Sequence, residues 1–119
     1  MKKIVLVDDY KEYVEELKEY IEFKTAAKCI TFTDSAMALR YLTQNKDTDI
    51  LITDFEMPRF NGLEVARELI RKKLFNIRII VNSSYTEKEL QQKVNQYNLT
   101  GRVEVVCKGN FDKLLNCIL

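Results

Sequence analysis

Three aspartates follow two apolar segments of the chain, at positions where their carboxylates could share one ligand. Asp8 and Asp9 directly follow residues 4–7, and Asp54 directly follows residues 50–53. Continuous apolar runs are typical of buried parallel strands, and open α/β sheets bind ligands outside the carboxyl ends of their strands. If the two strands are neighbours, three like charges meet at this edge, and a hard cation such as Mg²⁺ relieves their repulsion. The spacing therefore predicts a metal-dependent phosphate site.

Two further polar side chains end later apolar segments. Ser83 follows residues 77–82, and Lys108 follows residues 103–107. A carboxylate can attack phosphorus and form an aspartyl phosphate. Phosphoryl transfer otherwise needs in-line positioning and neutralisation of the phosphoryl oxygens. We therefore expect the lysine to pair with one phosphoryl oxygen and the serine to hydrogen-bond another.

Within this predicted site, Asp8 and Asp9 would hold Mg²⁺ and Asp54 would be the nucleophile. The simpler interpretation of acidic residues at strand ends is a turn or helix-capping role, because aspartate favours both. That interpretation explains Asp8 and Asp9 alone. It does not explain why Asp54 and Lys108 stand at matching strand ends.

The whole chain alternates between strand and helix patterns. Strands are predicted over residues 3–7, 29–32, 49–53, 77–82 and 103–107. Helices are predicted over residues 10–23, from a cap at Thr33 or Asp34 to residue 43, over 62–73, after a cap at Thr86, and over 111–119. Five such units predict an α/β fold, a doubly wound five-stranded parallel sheet of the flavodoxin-like (βα)5 kind with strand order 2-1-3-4-5. In that order the first and third strands are adjacent.

Composition limits the function classes. The 119 residues suit one domain, and 19 basic against 18 acidic residues leave no overall field that favours nucleic acid or a membrane. No secretory signal pattern and no apolar stretch of membrane-spanning length occurs. Three cysteines without metal-ligand spacing are expected to be buried free thiols. A cytoplasmic location without direct nucleic-acid or membrane binding is therefore expected.

The motifs together resemble the receiver domain of two-component response regulators, over residues 1–119. The matching residues are Ile4–Asp9, Leu51–Pro58, Gly62, Ser83 with the small Ser84, and Lys108. Pro58 cannot prolong a strand, and Gly62 permits a tight helix start or a close backbone approach. The complete set, in order and at five-strand spacing, is far more specific than the acidic pair alone.

The resemblance implies a role for each site residue. Asp54 would be the phosphoacceptor, Asp8 and Asp9 acidic residues of the Mg²⁺ site, and the main-chain carbonyl of Glu56 a further ligand. The protein would then be a phosphoacceptor rather than an enzyme, with self-catalysed phosphorylation and dephosphorylation. The side chains of Glu56 and Tyr85 would flank the phosphoryl group, or else be exposed loop residues.

The resemblance also implies partners. The chain has no histidine, so a separate histidine kinase or histidine phosphotransfer protein would supply the phosphoryl group. No DNA-binding segment follows Leu119 in this sequence, and output through a downstream protein target is expected. A monomer or a weak homodimer is expected.

Three departures from the family pattern affect the expected mechanism. Gly109 stands where the family usually has proline, and Val105 replaces an aromatic residue that often repacks on phosphorylation. Asn82 places an amide where an apolar residue is usual. Gly109 and Val105 motivate one alternative, a pseudo-receiver that binds its partner without phosphorylation. A Mg²⁺-dependent phosphohydrolase with an aspartyl nucleophile is the other, although Asp8-Asp9-Tyr10 lacks the Asp-x-Asp pattern usual for that class.

Overall fold

The computed structural model describes residues 1–119, in which five strands alternate with five helices. The strands are β1 Lys3–Val7, β2 Lys28–Phe32, β3 Ile50–Thr53, β4 Arg78–Ser83 and β5 Glu104–Cys107. The helices are α1 Lys11–Lys24, α2 Ser35–Gln44, α3 Gly62–Arg71, α4 Glu87–Gln96 and α5 Phe111–Ile118. No helix is long and apolar enough to cross a membrane.

The strands form one parallel sheet in the order β2-β1-β3-β4-β5, which confirms the predicted fold. Val7 of β1 is in register with Thr53 of β3, and Ser83 of β4 is in register with Cys107 of β5. All four residues end their strands. Ser83 is itself a predicted site residue, and each of the other three directly precedes one. The register therefore brings the loops after β1, β3, β4 and β5 to the same edge of the sheet.

Two apolar layers enclose the sheet, because alternate side chains of each strand point to opposite faces. Val5 and Val7 of β1 pack with α2, α3 and α4 on one face. Ile4 and Leu6 pack with α1 and α5 on the other. Burial on both faces explains why the strand sequences read as continuous apolar runs.

Helix caps fix where the chain leaves the sheet edge. Asp34, one of the two predicted caps, accepts hydrogen bonds from the main-chain N–H groups at the start of α2. Asn61 with Glu64 at the start of α3, and Thr86 with Glu89 at the start of α4, each form a capping box. These caps stabilise helix starts that directly follow the loops of the site.

Several sequence predictions need correction. Helix α3 ends at Arg71, not Lys73, because Lys73 has a φ of 62° that no right-handed helix accommodates. Tyr10, the first residue of the helix predicted over 10–23, is 61% exposed and precedes α1, which begins at Lys11. All three cysteines are free, but only Cys29 is fully buried, whereas Cys107 and Cys117 are partly exposed.

Candidate metal and phosphate site

Backbone hydrogen bonds continue the sheet ladder past the strand ends and hold three site residues in place. The N–H of Asp8 donates to the Phe32 carbonyl at 3.1 Å, and the N–H of Asp54 donates to the Val7 carbonyl at 2.9 Å. The N–H of Lys108 donates to the Ser83 carbonyl at 2.7 Å. The site residues therefore belong to the rigid sheet rather than to free loops.

The three predicted carboxylates meet at this edge. Asp8, Asp9 and Asp54 each place one carboxylate oxygen within 4.8 Å of the others. Asp8 is almost fully buried, Asp54 is partly buried and Asp9 is exposed, so the cluster opens to solvent on one side. Main-chain N–H groups orient the two inner carboxylates: Tyr10 donates to Asp8 Oδ1 at 2.9 Å, and Phe55 donates to Asp54 Oδ1 at 2.7 Å.

Lys108 lies between the two inner carboxylates. Its Nζ is 2.7 Å from Asp8 Oδ2 and 3.3 Å from Asp54 Oδ2. Burial alone would lower the pKa of Lys108, but the two carboxylates outweigh it and hold that pKa above its ordinary value. The ammonium is therefore a permanent positive charge in the site at neutral pH.

Burial dominates the electrostatics of Asp54. It raises the pKa of the Asp54 carboxyl above its ordinary value, and the neighbouring charge of Asp8 adds to the effect. The Lys108 ammonium, the Phe55 N–H and the Ser83 hydroxyl oppose the rise. Ser83, 2% exposed at the end of β4, thus lies where its hydroxyl stabilises the charged form of Asp54.

The donor set fits a hard cation. The clustered atoms are all carboxylate oxygens, which Mg²⁺ prefers. Asp8 Oδ2 is buried and accepts no well-aligned hydrogen bond, although Lys108 Nζ lies close to it. Lys108 already pairs with this buried oxygen, and a metal ion would add a second cation to compensate for its burial. The Asp cluster can therefore hold a metal, while the Glu56 main-chain carbonyl stays a prediction as a further ligand.

Glu56 and Tyr85 contact each other above the site. The Tyr85 hydroxyl donates a hydrogen bond to the Glu56 carboxylate, and the Tyr85 ring packs edge-on against Phe55 at a centroid distance of 5.9 Å. Lys93 Nζ lies 5.0 Å from the centre of the Tyr85 ring. The two side chains are therefore joined in a cluster at the mouth of the site, rather than being independent loop residues.

Two residues beneath the site were not predicted to belong to it. Tyr13 of α1 places its ring 4.5 Å from Lys108 Nζ, measured to the ring centre, and its hydroxyl donates to Asn82 Oδ1 at 2.6 Å. The sequence suggested only a core position for Tyr13, at helical spacing with Val14 and Leu17. Asn82 is the residue of the sequence that could have indicated this contact, since a buried amide requires a polar partner.

A doubly wound parallel sheet with an acidic cluster and a lysine at its carboxyl edge defines a flavodoxin-like domain with a candidate metal and phosphate site. Residues 4–116 match the family described as response regulator receiver domain. The chain belongs to this family, whose members act in two-component signalling with histidine kinases or phosphotransfer proteins.

Individual relatives agree with this assignment. The response regulator TrrA of Thermotoga maritima, crystallised in complex with Mg²⁺-BeF, is 31% identical; the match covers 99% of this chain and 96% of TrrA, with a TM-score of 0.81. A response regulator receiver domain from Clostridium thermocellum gives a TM-score of 0.85 at 22% identity, covering 99% and 91% of the two chains.

The curated relatives are longer proteins. The transcriptional regulatory protein NatR of Bacillus subtilis is 28% identical over 118 residues, which is 97% of this chain and 50% of NatR. The response regulator SaeR of Staphylococcus aureus is 32% identical over 62% of this chain and 31% of SaeR. This chain therefore spans half or less of the length of these relatives.

Proposed function

We propose that this receiver domain accepts a phosphoryl group on Asp54 in a Mg²⁺-dependent reaction. The observation that carries the proposal is the placement of the Asp54 carboxylate. One oxygen is held by the Phe55 N–H, and the other faces Lys108 beside the acidic pair Asp8 and Asp9. A carboxylate held in this way has a fixed orientation and a cation beside it, which are the two requirements of phosphoryl capture.

The chemistry is a displacement at phosphorus. An oxygen of the Asp54 carboxylate forms the new O–P bond while the bond between phosphorus and its donor group breaks, and the donor leaves with the bonding electron pair. For a phosphohistidine donor the broken bond is N–P, and the leaving imidazole takes up a proton. A histidine kinase or histidine phosphotransfer protein would supply this donor, since these 119 residues contain no histidine.

Asp8, Asp9 and Asp54 would hold the Mg²⁺, with the Glu56 main-chain carbonyl as a further ligand. The ion supplies charge neutralisation for the oxygens of the transferring group. The Mg²⁺-BeF complex of TrrA supports this assignment, because that relative is 31% identical along nearly the whole chain. The convergence of three carboxylate oxygens within 4.8 Å of one another supports it independently.

Lys108 and Ser83 would stabilise the phosphorylated state. Lys108 Nζ already lies 3.3 Å from Asp54 Oδ2, so it reaches an oxygen of a group bound there. Ser83 would donate its hydroxyl to another oxygen. Since these residues belong to the acceptor itself, phosphorylation and its reversal are self-catalysed, and the domain is a phosphoacceptor rather than an enzyme acting on a separate substrate.

Signalling would follow from the added charge. A phosphoryl group adds about −1.5 to −2 charges at neutral pH, and it draws Ser83 and Lys108 toward Asp54. The loops after β3 and β4 carry these residues and their neighbours, so their populations shift and change a surface read by a downstream protein. Val105 and Gly109 alter the usual details of this response without removing any phosphate-site residue.

The convergence of Asp8, Asp9, Asp54, Ser83 and Lys108 favours this function over a phosphorylation-independent pseudo-receiver, because such a module would not need all five. Family membership favours it over a phosphohydrolase. A location in the cytoplasm, where histidine kinases present their phosphoryl groups, belongs to the same proposal.

Titration with Mg²⁺ and beryllofluoride, followed by two-dimensional amide NMR, tests the proposal. On adding beryllofluoride at saturating Mg²⁺, we expect saturable shifts in the loops after β1, β3, β4 and β5 for the unmutated protein, and no beryllofluoride-induced shift for Asp54→Ala. Asp47→Ala is the matched control, because Asp47 precedes β3 at the opposite edge of the sheet. A folded, unmutated protein whose spectrum does not change would support the pseudo-receiver instead.

A further inference from the structure

Asn82 is a buried amide in an otherwise apolar strand. It is 3% exposed and faces the layer formed by α1 and α5. Its Nδ2 donates to the Val106 carbonyl at 3.0 Å, and its Oδ1 accepts the Tyr13 hydroxyl at 2.6 Å. Asn82 therefore connects α1 to β5, and Val106 lies only two residues before Lys108.

Tyr13 presents two different surfaces to its neighbours. Its hydroxyl is fixed by Asn82, while its ring face lies 4.5 Å from Lys108 Nζ. An ammonium within about 6 Å of an aromatic ring centre is attracted by the negative face of the ring. Burial first, and then the charges of Asp8 and Asp54, raise the pKa of the Tyr13 hydroxyl, so the phenol stays neutral and remains a donor.

The Tyr13 ring restrains the Lys108 side chain from one side, in addition to the two carboxylates that hold its ammonium. A lysine side chain has a flexible four-carbon stem, and the next residue is Gly109, with a φ of 95° that a proline ring excludes. The space enclosed by Tyr13, Asn82, Asp8 and Asp54 does not admit a water molecule. The Tyr13 ring forms one wall beside the ammonium, while the Lys108 side chain remains 22% exposed on another side.

We propose that Tyr13 is a positioning residue for Lys108 and that Asn82 holds Tyr13 in place. The ring keeps the ammonium between Asp8 and Asp54, ready to meet an oxygen of a group bound to Asp54. The expected consequence of this contact is faster phosphoryl capture, and that consequence rests on the proposed function. The contact between the ring and the ammonium can be tested separately, because it exists without any phosphoryl group.

The first test measures that contact directly. Protons of the Lys108 side chain beside the Tyr13 ring face are expected to resonate upfield of those of exposed lysines, and Lys108→Met assigns the signals by their loss. Tyr13→Leu should abolish the upfield shift, and Tyr13→Phe, which keeps the ring but loses the hydrogen bond to Asn82, should retain part of it. Asn82→Leu should reduce it, because the ring loses its anchor. An unmutated protein without an upfield-shifted lysine would overturn the proposal, whatever the outcome for phosphorylation.

The second test measures the consequence. With acetyl phosphate as donor and Mg²⁺ saturating, Tyr13→Leu should slow phosphorylation by about 3- to 30-fold, the range that a cation–π contact supports. Tyr13→Phe, which keeps the ring but loses its hydrogen bond to Asn82, should slow phosphorylation less than Tyr13→Leu does, which separates the ring face from the hydroxyl. Thermal unfolding of each variant establishes that it is folded.

Coupling to Lys108 separates positioning from a general structural effect. In a Lys108→Met background, Tyr13→Leu should have no further effect on the rate, since the ammonium that it positions is gone. An equal slowing in both backgrounds would contradict the proposal. An unmutated protein that shows the upfield-shifted lysine but takes up no phosphoryl group would refute the proposed function and leave the positioning contact established.

Discussion

Replacing Lys108 by methionine is expected to change the binding of two ligands in opposite directions. Beryllofluoride binding should weaken by about 2 to 5 kcal/mol, the usual cost of removing one partner of a buried charge pair. Mg²⁺ binding should strengthen, because the ammonium between Asp8 and Asp54 occupies the electrostatic position that the cation needs.

The expected gain in Mg²⁺ affinity follows from Coulomb's law. Two unit charges about 4 Å apart interact by about 1 kcal/mol even in bulk water, and the ion carries two charges. Loss of the ammonium should therefore strengthen Mg²⁺ binding by at least about fivefold. Isothermal titration with Mg²⁺ alone, and then with beryllofluoride at saturating Mg²⁺, measures the two affinities.

Lys113→Met is the matched control for this experiment. Lys113 also pairs with a carboxylate, Glu87, at 2.8 Å, but it belongs to α5 and lies outside the site. Its loss should leave both affinities unchanged. If Lys108→Met weakens Mg²⁺ binding, or leaves beryllofluoride binding intact, the assigned role of Lys108 is incorrect.

Substitution of Gly62 by alanine is expected to cost the largest share of folding stability. A Cβ at this position would lie 2.2 Å from the Asp54 carbonyl oxygen and 3.1 Å from Thr53 Cγ2. The obstacle is main chain, so no side-chain rotation relieves it. Overpacking usually costs 1–3 kcal/mol, and this rigid contact places Gly62→Ala at about 3 kcal/mol or more.

The same change should damage the site, because the displaced carbonyl belongs to Asp54 itself. The Gly62 N–H donates to the Phe55 carbonyl at 2.8 Å, which ties the start of α3 to the loop after Asp54. Urea unfolding with and without Mg²⁺ measures stability and metal affinity together. Gly101→Ala, where an added Cβ meets no atom within 4 Å, should cost less and leave Mg²⁺ binding unchanged. Equal losses for the two variants would contradict this explanation.

The sequence was sufficient to predict the fold because five alternating strand and helix patterns leave few parallel topologies, and the order 2-1-3-4-5 is also that of the family that the motifs resemble. Residues 4–7 are apolar at every position and residues 50–53 at every position but Thr53, a pattern that burial on both faces of the sheet explains. Once β1 and β3 are neighbours, Asp8, Asp9 and Asp54 must meet at one edge. For Gly62, the sequence left a tight helix start and a close approach as alternatives, and the structure shows the close approach.

Contacts between distant side chains could not be predicted in the same way. The interpretation of Tyr13 as a core residue followed from helical spacing, which reports the buried side of a helix but not the partner of a hydroxyl. Its contacts with Asn82 and Lys108 depend on how α1 lies across β4 and β5. The pairing of Lys108 with Asp8 could not be predicted either, since the positions of the strand ends determine which residues meet but not which rotamers they adopt.

The central claim is that Asp54 is the residue that receives the phosphoryl group, and chemical mapping of the modified residue tests it most directly. After incubation with acetyl phosphate and Mg²⁺, borohydride reduces an aspartyl phosphate to homoserine, which peptide mass spectrometry locates in the sequence. We predict homoserine at position 54 alone, and none when Mg²⁺ is removed with a chelator. Homoserine at another position, or an unmodified Asp54 in folded, Mg²⁺-bound protein, would contradict the account.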